Sequence, residues 1–226
     1  MTQNESYVVT IDGPGGSGKG SLALRLARHL GFHLLDSGAI YRLAALKALR
    51  EDADLNDEKS VVDSLSDFNI RFEEGDELSI PYLDDEDVSS QIRLESTADA
   101  ASVIAVYPGV RLRLLDRQRQ CFQSPGLVAD GRDMGTVVFP KARIKFFLYA
   151  SPEVRAQRRH KQLISMGISV NIAQLESEIS ERDQRDRDRS ESPLVPSSDA
   201  LVVDSSLLDL DQVTELMISH IEEVIQ

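Results

Sequence analysis

A segment near the start of the chain has the residue types and spacing of a phosphate-binding loop. Residues 13–19 fit the pattern Gly-x-x-x-x-Gly-Lys, between a β-rich stretch and a helical one. Glycines let successive backbone N–H groups point inward around an anion, and the following helix adds the partial positive charge of its N-terminus. Lys19 would reach the terminal phosphates of a nucleotide. The alternative, a structural glycine turn with a surface lysine, is disfavoured because four glycines and both flanking elements are present. The predicted nucleotide contacts are Gly13, Pro14, Gly15, Gly16, Ser17, Gly18, Lys19, Gly20 and Ser21.

The residues after Lys19 narrow the class of nucleotide-binding protein. Most ATPases and switch GTPases place a Ser or Thr there as a Mg²⁺ ligand, whereas this chain continues with Gly20 and then Ser21. The order Gly-Lys-Gly-Ser resembles that of nucleoside monophosphate kinases, in which the Mg²⁺ ion is held mainly by nucleotide phosphates and water. The guanine-binding motif Asn-Lys-x-Asp does not occur in the sequence. We therefore expect a kinase rather than a GTPase.

Arginines are concentrated in three groups of an otherwise acidic chain. The chain has 25 Lys+Arg against 38 Asp+Glu, a formal net charge of −13. The three groups lie at Arg111 to Arg119, Arg155 to Arg159 and Arg182 to Arg189. A guanidinium group can bind two phosphate oxygens at once, which favours the handling of small phosphates. The alternative for the third group is a solvated, salt-bridged helix; beside a phosphate loop we favour phosphate binding.

Charged residues also follow two predicted strands. One cluster is Asp130-Gly131-Arg132-Asp133, and the other is Asp36-Ser37-Gly38, with Tyr41 and Arg42 beyond it. Ligands of open α/β sheets bind at the carboxyl ends of strands, so both clusters are expected to face a cleft. Either cluster alone could be an ordinary capped turn. Asp130 is our candidate for holding Mg²⁺ through water, with capping of the turn as the alternative.

The elements that position these residues are predicted by short apolar runs and by helical periodicity. The strands are expected at residues 7–11, 33–35, 126–129, 144–149 and 201–203, and their apolar character on both faces indicates a parallel sheet covered by helices. Helices are expected at residues 19–30, ending at Gly31, from the second strand through Leu49, and at residues 210–225 after an Asp209 N-cap.

The middle of the chain has a different pattern. Apolar and polar residues alternate in residues 69–73 and 77–82, with Gly75-Asp76 between them. This predicts an antiparallel hairpin with one wet face, and Pro81 favours an edge strand. We expect a small β insertion over roughly Asp67 to Ile92.

Length and composition exclude several classes of protein. A chain of 226 residues with 41% hydrophobic residues suits one sizeable α/β domain with a small insert. The isoelectric point of about 4.7 disfavours nucleic-acid binding and docking on anionic lipid. The one cysteine, Cys121, excludes an internal disulfide and a cysteine-based zinc site. No apolar run approaches the roughly 20 residues of a membrane span, and Met1–Ser6 lacks a signal-peptide core. We expect a soluble cytoplasmic protein.

Four long motifs together make the match to one family specific. They are Ile11 through Gly20, Leu35 through Arg42, Asp130 through Pro140 and Glu181 through Asp186. These segments resemble bacterial cytidylate kinases, and the resemblance covers nearly the whole chain, including the β insertion. It implies a P-loop NTPase-type α/β fold, that is, a parallel sheet flanked by helices, with an antiparallel β insertion in a monophosphate-binding region and a short helical lid. It also implies a monomeric enzyme that transfers the γ-phosphate of ATP to CMP or dCMP with Mg²⁺.

The resemblance also implies a division of the chain and a role for each matching residue. The core would comprise residues 1–36, 106–154 and 190–226, the monophosphate-binding region residues 37–105, and the lid residues 155–189. Arg42 and Arg132, with Arg189, match residues that bind the CMP phosphate. Ser102, Arg111 and Asp133 match those that recognise cytosine. Asp186 matches the ribose contact, helped by Ser37 and Arg182, and Tyr41 belongs to the same substrate region. Lys19, Arg132, Arg158 and Arg189 would be the catalytic groups. Ser21 stands where many relatives carry Thr.

The chemistry of the base and of the transfer agrees with these roles. Asp133 and the Ser102 hydroxyl could accept hydrogen bonds from the N4 amino group of cytosine. Arg111 could donate hydrogen bonds to the acceptor atoms of the base. We expect direct in-line transfer, which needs no histidine base because the attacking phosphate oxygen is already anionic. The rivals are another small phosphotransferase, such as an adenylate or shikimate kinase, and a non-catalytic nucleotide switch that binds a partner protein.

Overall fold

The structure is a computed structural model that describes residues 7–73, 79–165, 167 and 169–225. Its strands are β1 (Val8–Asp12), β2 (His33–Asp36), β3 (Ile70–Glu73), β4 (Ile80–Leu83), β5 (Glu86–Asp87), β6 (Leu127–Gly131), β7 (Ile144–Tyr149) and β8 (Leu201–Asp204). Its α-helices are α1 (Lys19–Leu30), α2 (Ser37–Arg50), α3 (Glu58–Ser64), α4 (Glu95–Ile104), α5 (Pro108–Gln120), α6 (Pro152–Ser165), α7 (Ile172–Arg187) and α8 (Leu210–Ile225). A 3₁₀ turn (Gln91–Arg93) precedes α4, and a π-helix (Met134–Val138) follows β6. Within these residues, every helix is too short or too polar to cross a membrane.

The chain divides into two compact units. The first consists of the described parts of Met1–Leu35 and Cys121–Gln226, and the second is Asp36–Gln120.

The first unit contains a five-stranded sheet in the order β2-β6-β1-β7-β8. The pairs β1–β6, β1–β7 and β7–β8 are parallel. Every residue of β1 and β6 is buried, as expected for strands whose two faces are both covered by helices. This sheet, its flanking helices and the small antiparallel sheet of the second unit confirm the predicted α/β class.

Helices α1 and α8 pack on this sheet through apolar stripes. Leu22 and Leu26 of α1, and Met217 and Ile221 of α8, join the same buried core as the strands. Helix α1 ends at Gly31, whose φ of 65° is a left-handed conformation that glycine adopts without strain. Both helices have the bounds that their periodicity predicts.

The expected cap of α8 is also present. The Asp209 carboxylate accepts from the Gln212 amide at 2.8 Å, and the Gln212 side chain accepts from the Asp209 amide at 3.0 Å. This reciprocal pair satisfies two amides that the helix itself leaves without partners.

The second unit is built around helix α2. Helices α4 and α5, the 3₁₀ turn and strand β4 all pack against it, and α3 packs on α5. Asp36 caps α2, its carboxylate accepting from the Ala39 amide at 2.9 Å. Helix α5 packs on α2 and α3, and the second unit extends to Gln120.

The small sheet of the second unit corrects the prediction for Pro81. The strand order is β3-β4-β5, so Pro81 lies in the central strand and not in an edge strand. The Pro81 carbonyl accepts from the Val88 amide on the β5 side at 3.1 Å. In an antiparallel strand the N and the C=O of a residue face the same neighbour. The missing N–H of Pro81 therefore faces the two-residue strand β5 and leaves the β3–β4 ladder intact.

The alternation in residues 77–82 sets the apolar Ile80 and Tyr82 against Pro81 and so predicts the wrong buried face for β4. Pro81 and Leu83 are buried, whereas Ile80 and Tyr82 are only partly buried. Pro81 pairs with Phe72 and Leu83 with Ile70, so these four residues share a face. Tyr82 lies on the other face, where the Arg71 guanidinium is 3.6 Å from its ring centroid. The predicted turn, Gly75-Asp76, lies outside the described residues.

Candidate active site

The glycine-rich loop joins β1 to α1, and its backbone requires glycine at specific positions. Gly16 and Gly18 have φ of 77° and 97°, in the left-handed region. A Cβ at Gly13 would lie 2.2 Å from the Leu148 carbonyl oxygen, so a side chain there would collide with β7. Helix α1 begins at Lys19 without a side-chain cap on its first amides. An uncapped helix N-terminus after a glycine loop is a favourable site for an anion such as phosphate.

Lys19 is held against this loop. Its ammonium donates to the Pro14 carbonyl at 3.1 Å and lies 3.9 Å from the Asp130 carboxylate. Lys19 and Asp130 are 8% and 6% exposed. A cation at this position can neutralise the charge of a phosphate group bound at the loop.

The charged segment after β6 lies beside the same loop, as expected from its place at a strand end. A Cβ at Gly15 would be 3.3 Å from Arg132 Nη2, and one at Gly20 would be 3.3 Å from Asp130 Oδ2. Asp133 is also buried. The two glycines therefore leave room for the side chains that follow β6.

Helix α7 brings further arginines to this part of the first unit. Asp186 is fully buried and accepts hydrogen bonds from both Arg132 and Arg189. Burial alone would raise the pKa of Asp186, but these two guanidinium groups hold that pKa below its ordinary value. A Cβ at Gly15 would lie 3.9 Å from the Arg182 guanidinium carbon. This face of α7 is therefore salt-bridged, and its carboxylates Asp183 and Asp186 are buried rather than solvated.

Arg158, on α6, also lies against the glycine loop. It donates to the Ser17 carbonyl at 3.1 Å and to the Ser205 carbonyl at 2.6 Å. The Ser205 hydroxyl donates to the same Ser17 carbonyl at 3.3 Å. Arg158 and Ser205 therefore hold the loop in its orientation through one of its carbonyl groups, that of Ser17.

The second unit contains the other predicted substrate residues. Arg111 donates to the Ala105 carbonyl at 3.2 Å, and its guanidinium lies 5.9 Å from the Tyr41 ring centroid. The Ser37 hydroxyl is buried and accepts from the Gln118 amide at 2.7 Å. Gln118 was not among the predicted residues, and its sequence context gave no signal for it.

Two other polar atoms of the second unit are buried without a hydrogen-bond partner. Among the residues that the structure describes, Arg42 Nε and the hydroxyl of Ser102 make no hydrogen bond. Ser102 is 3% exposed. Since a buried polar atom without a partner is costly, such atoms are expected where a ligand supplies the partner.

Comparison with known proteins assigns the chain to a family. A family model described as "Cytidylate kinase" matches residues 9–223. The cytidylate kinase of Aeromonas hydrophila subsp. hydrophila is 52% identical over 216 residues, which cover 96% of this chain and 94% of the relative. That of Klebsiella pneumoniae (strain 342) is 51% identical over 96% of this chain and 95% of the relative. The chain belongs to the cytidylate kinase family. The resemblance inferred from the motifs is confirmed, and so is the expectation of a kinase.

A further relative agrees with membership of the cytidylate kinase family, whereas the similarity to solved structures is more distant. The cytidylate kinase of Vibrio parahaemolyticus serotype O3:K6 is 51% identical over 97% of both chains. Among solved structures, TT1252 from Thermus thermophilus has 17% identity and a TM-score of 0.46 over 97% of both chains. The family match disfavours an adenylate kinase, a shikimate kinase and a non-catalytic switch.

One residue of this cytidylate kinase site was missed by sequence reasoning. Asp12, the last residue of β1, accepts from the amides of Met134 and Gly135 at 2.7 and 2.8 Å. Burial raises the pKa of Asp12 to about 7, although both amide hydrogen bonds lower it; the nearby Asp133 and Asp130 raise it further. Asp12 thus fixes the segment that directly follows Asp133. Its signal was an acidic residue at the end of an otherwise apolar buried strand.

Asp130 is the predicted carboxylate for metal binding at the loop. Among the described residues, no group of three or more His, Cys, Asp or Glu side chains comes together to hold a metal ion. The chemistry of Asp130 suits Mg²⁺, which prefers oxygen ligands and keeps several of its waters. A buried carboxylate beside a phosphate loop fits an ion held mainly by nucleotide phosphates and water.

Proposed function

We propose that this protein transfers the γ-phosphate of ATP to CMP or dCMP, giving ADP and CDP or dCDP. Membership of the cytidylate kinase family supports CMP as acceptor. The observation that carries the choice of a nucleoside triphosphate as donor is the glycine loop with its uncapped helix N-terminus and its buried lysine. The protein is proposed to act as a cytoplasmic monomer, without nucleic acid or membrane.

On the donor side, the backbone amides of residues 13–21 would bind the phosphates of ATP. Lys19 would contact the terminal phosphates, because its ammonium lies over the loop at the Pro14 carbonyl. Arg158, which already contacts the loop, would neutralise charge on the transferred group as it moves. Residues 155–189 are proposed as the lid, and lid closure would exclude water and so prevent ATP hydrolysis.

On the acceptor side, three arginines would bind the phosphate of CMP: Arg42, Arg132 and Arg189. The unpartnered Nε of Arg42 supports this role, since an anionic oxygen would give it the missing hydrogen bond. Asp186 would accept from the ribose hydroxyls, with Ser37 and Arg182 beside it. Tyr41 would support Arg111 through the contact between its ring and that guanidinium.

The base would be recognised by groups that match cytosine and oppose uracil. Asp133 and the Ser102 hydroxyl would accept from the N4 amino group, and Arg111 would donate to the base acceptors. Uracil has a carbonyl at position four, so Asp133 would face a second acceptor. A buried acceptor left unpaired costs about 1–3 kcal/mol.

The transfer would be direct and in line, because the attacking phosphate oxygen is anionic near neutral pH and needs no base. Lys19, Arg132, Arg158 and Arg189 would stabilise the charge that spreads over the transferred group. Asp130 would hold Mg²⁺ through water; when bound, the ion neutralises phosphate charge and orients the oxygens. Asp130 is suited to this by its place 3.9 Å from the Lys19 ammonium.

A coupled assay of ADP release tests the proposal directly. The wild-type protein is assayed with ATP and Mg²⁺ against CMP, dCMP, UMP and AMP. We expect CMP and dCMP to be phosphorylated with the highest kcat/KM. Transfer to AMP in preference to both, or ATP binding without transfer to any monophosphate, would overturn it.

Asp133→Ala then tests recognition of the base. The variant should lose about five-fold to 150-fold in kcat/KM for CMP, from the 1–3 kcal/mol above, and much less for UMP. The matched control is Asp63→Ala, which removes an exposed carboxylate paired with Lys59. Equal losses for CMP and UMP in Asp133→Ala would show that this carboxylate does not recognise the base.

A further inference from the structure

One arginine of the proposed lid is buried completely within the protein. Arg155 lies in the first turn of α6 and is 0% exposed. Its Cβ is 3.4 Å from the position that a Cβ would take at Gly16, so the start of α6 lies directly on the glycine loop. A fully enclosed guanidinium cannot reach a bound phosphate, and its role must be sought in its protein contacts.

The contacts of Arg155 join three elements of the first unit. Its Nε donates to the Ala150 carbonyl at 2.9 Å, just after the end of β7. Its Nη1 donates to the Gly15 carbonyl at 3.0 Å and to the Asp183 carboxylate at 3.0 Å. Its Nη2 donates to the second oxygen of Asp183. Asp183 lies on α7, the helix that carries Arg182, and is 3% exposed.

The bond to Gly15 determines the orientation of a loop amide. The Gly15 carbonyl and the Gly16 N–H belong to one planar trans peptide, in which the two groups point in opposite directions. When Arg155 holds the carbonyl on the side of α6, the Gly16 N–H is directed to the opposite side. A pre-oriented amide binds an anion without a further ordering cost, whereas a free peptide must first lose its rotational freedom.

We propose that Arg155 is a positioning residue that, held by Asp183 of α7, fixes the Gly15–Gly16 peptide of the phosphate loop for binding the phosphates of the donor nucleotide. This inference rests on the proposed function, because it assigns the loop to ATP. It makes the arrangement of α7 and the affinity of the loop for ATP depend on one buried side chain.

The simplest rival is that Arg155 and Asp183 only stabilise the fold. The two roles are separated by Arg155→Met/Asp183→Leu, which replaces both charges by apolar side chains. Replacing a buried ion pair in this way is often neutral for stability, whereas removing one partner leaves a buried charge unpaired. The double variant therefore keeps the packing but removes the hydrogen bond to the Gly15 carbonyl.

Three measurements are made on each variant: the thermal midpoint, the affinity for ATP by calorimetry without CMP, and the separate KM values for ATP and CMP. For the double variant we expect a midpoint close to that of the wild type, ATP affinity at least ten-fold weaker, and a KM for CMP within three-fold. The control is Arg143→Met, an exposed arginine that donates to the Val224 carbonyl at 2.9 Å. It should change neither the affinity nor the KM values.

A second variant keeps the test decisive if the double variant does not fold. Arg155→Lys retains a cation for Asp183, but one ammonium cannot reproduce the fork that joins Gly15, Ala150 and Asp183. It should bind ATP at least five-fold more weakly. Wild-type affinity for ATP in a folded Arg155→Lys or double variant would overturn the positioning role. Failure of the wild-type protein to phosphorylate CMP would instead overturn the proposed function, so the two failures are distinguishable.

Discussion

The buried polar groups assigned to the site are of two kinds, paired and unpartnered, and the clearest examples of each kind lie in different units. In the first unit, buried arginines are paired with buried carboxylates, as in Arg132–Asp186–Arg189 and Arg155–Asp183. In the second unit, Arg42 Nε and the Ser102 hydroxyl are buried without a partner among the described residues, as is the Ser17 hydroxyl in the loop of the first unit. Paired groups hold one another in place before a ligand binds, whereas unpartnered groups gain their partner only from the ligand.

This difference predicts two kinds of mutational effect. Single substitutions in the paired cluster of the first unit should lower stability and activity together, because the remaining charge is left buried without its partner. Substitutions of Arg42 and Ser102, which carry the unpartnered atoms of the second unit, should lower the affinity for substrate and leave stability unchanged. Lys19, Asp186, Arg42, Asp12 and Ser102 allow these effects to be compared on a common scale of free energy.

The largest effect is expected for Lys19→Ala. Removal of the cation over the loop should lower kcat/KM about 10⁴-fold, or roughly 5 kcal/mol of transition-state stabilisation. Coupled ADP release with CMP measures the loss, and circular dichroism checks the fold. The control is Lys59→Ala, a lysine whose side chain is 84% exposed and pairs with Asp63. A folded Lys19→Ala variant with wild-type turnover would refute the assignment of the loop.

The next effect is on stability, at Asp186. Asp186→Ala leaves the Arg132 and Arg189 guanidinium groups buried without the carboxylate that they share. Loss of one partner from a buried pair lowers the free energy of unfolding by about 3–5 kcal/mol. Urea denaturation measures this loss, with Asp188→Ala, at the exposed C-cap residue of α7, as the control. A midpoint equal to that of the control would show that the cluster does not support the first unit.

The same variant has a defined pH dependence. The pKa of Asp186 is lowered in the folded state, where burial opposes and Arg132 and Arg189 favour the ionised form. Its contribution to stability is therefore present above the unfolded pKa of about 4 and is lost as the pH falls through the folded value. The difference in stability between wild type and Asp186→Ala should shrink below about pH 4.

For the second unit, Arg42→Ala should affect binding alone. Loss of a charge-assisted hydrogen bond to the CMP phosphate should raise the KM for CMP up to about 100-fold, or roughly 3 kcal/mol. The free energy of unfolding should change by less than about 0.5 kcal/mol, because Arg42 Nε bonds to no described group. Arg50→Ala, on the same helix and paired with Glu86, is the control. A marked loss of stability in Arg42→Ala would remove the contrast between the units.

Asp12→Asn tests a paired group with an unusual titration. The amide side chain keeps one acceptor, so one of the Met134 and Gly135 amides loses its partner, at a cost of about 1–3 kcal/mol. Because the folded pKa of Asp12 is raised from 3.8 to about 7, the contribution of Asp12 to stability is fully present below about pH 4 and declines up to about pH 7. The stability difference between wild type and variant should decline over that range, and a difference constant with pH would contradict the buried titration.

The sequence predicted most of the first unit because its signals there are local. The apolar runs of β7 and α8 and the glycine at the end of α1 each specify an element within a few residues. The position of Asp130 and Arg132 beside the loop was predicted from the rule that ligands of open α/β sheets bind at the carboxyl ends of the strands. The recognition of the family, which rests on long contiguous motifs, was confirmed over residues 9–223.

What could not be predicted depends on contacts between distant residues. The prediction of the buried face of β4 was wrong because that face is determined by the pairing of β4 with β3 and β5. Strand β5 has only two residues, Glu86–Asp87, and their sequence has no strand pattern. The arginines of α5 were grouped by proximity in sequence, but Arg111 donates to Ala105 and Arg117 to Phe68. The amides that Asp12 accepts from, and the Gly15 carbonyl to which Arg155 donates, lie more than a hundred residues away along the chain.

The smallest effect is expected at Ser102, and it is the most sensitive test of the contrast between the units. Ser102→Ala removes one hydroxyl acceptor for the base, so the KM for CMP should rise about five-fold, or roughly 1 kcal/mol. The buried hydroxyl has no partner among the described residues, so its removal should leave the free energy of unfolding unchanged or slightly higher. Ser96→Ala, on an exposed position of the same helix, is the matched control. If Ser102→Ala were instead less stable than this control while its KM stayed the same, the hydroxyl would serve the packing of α4, and the second unit would resemble the first.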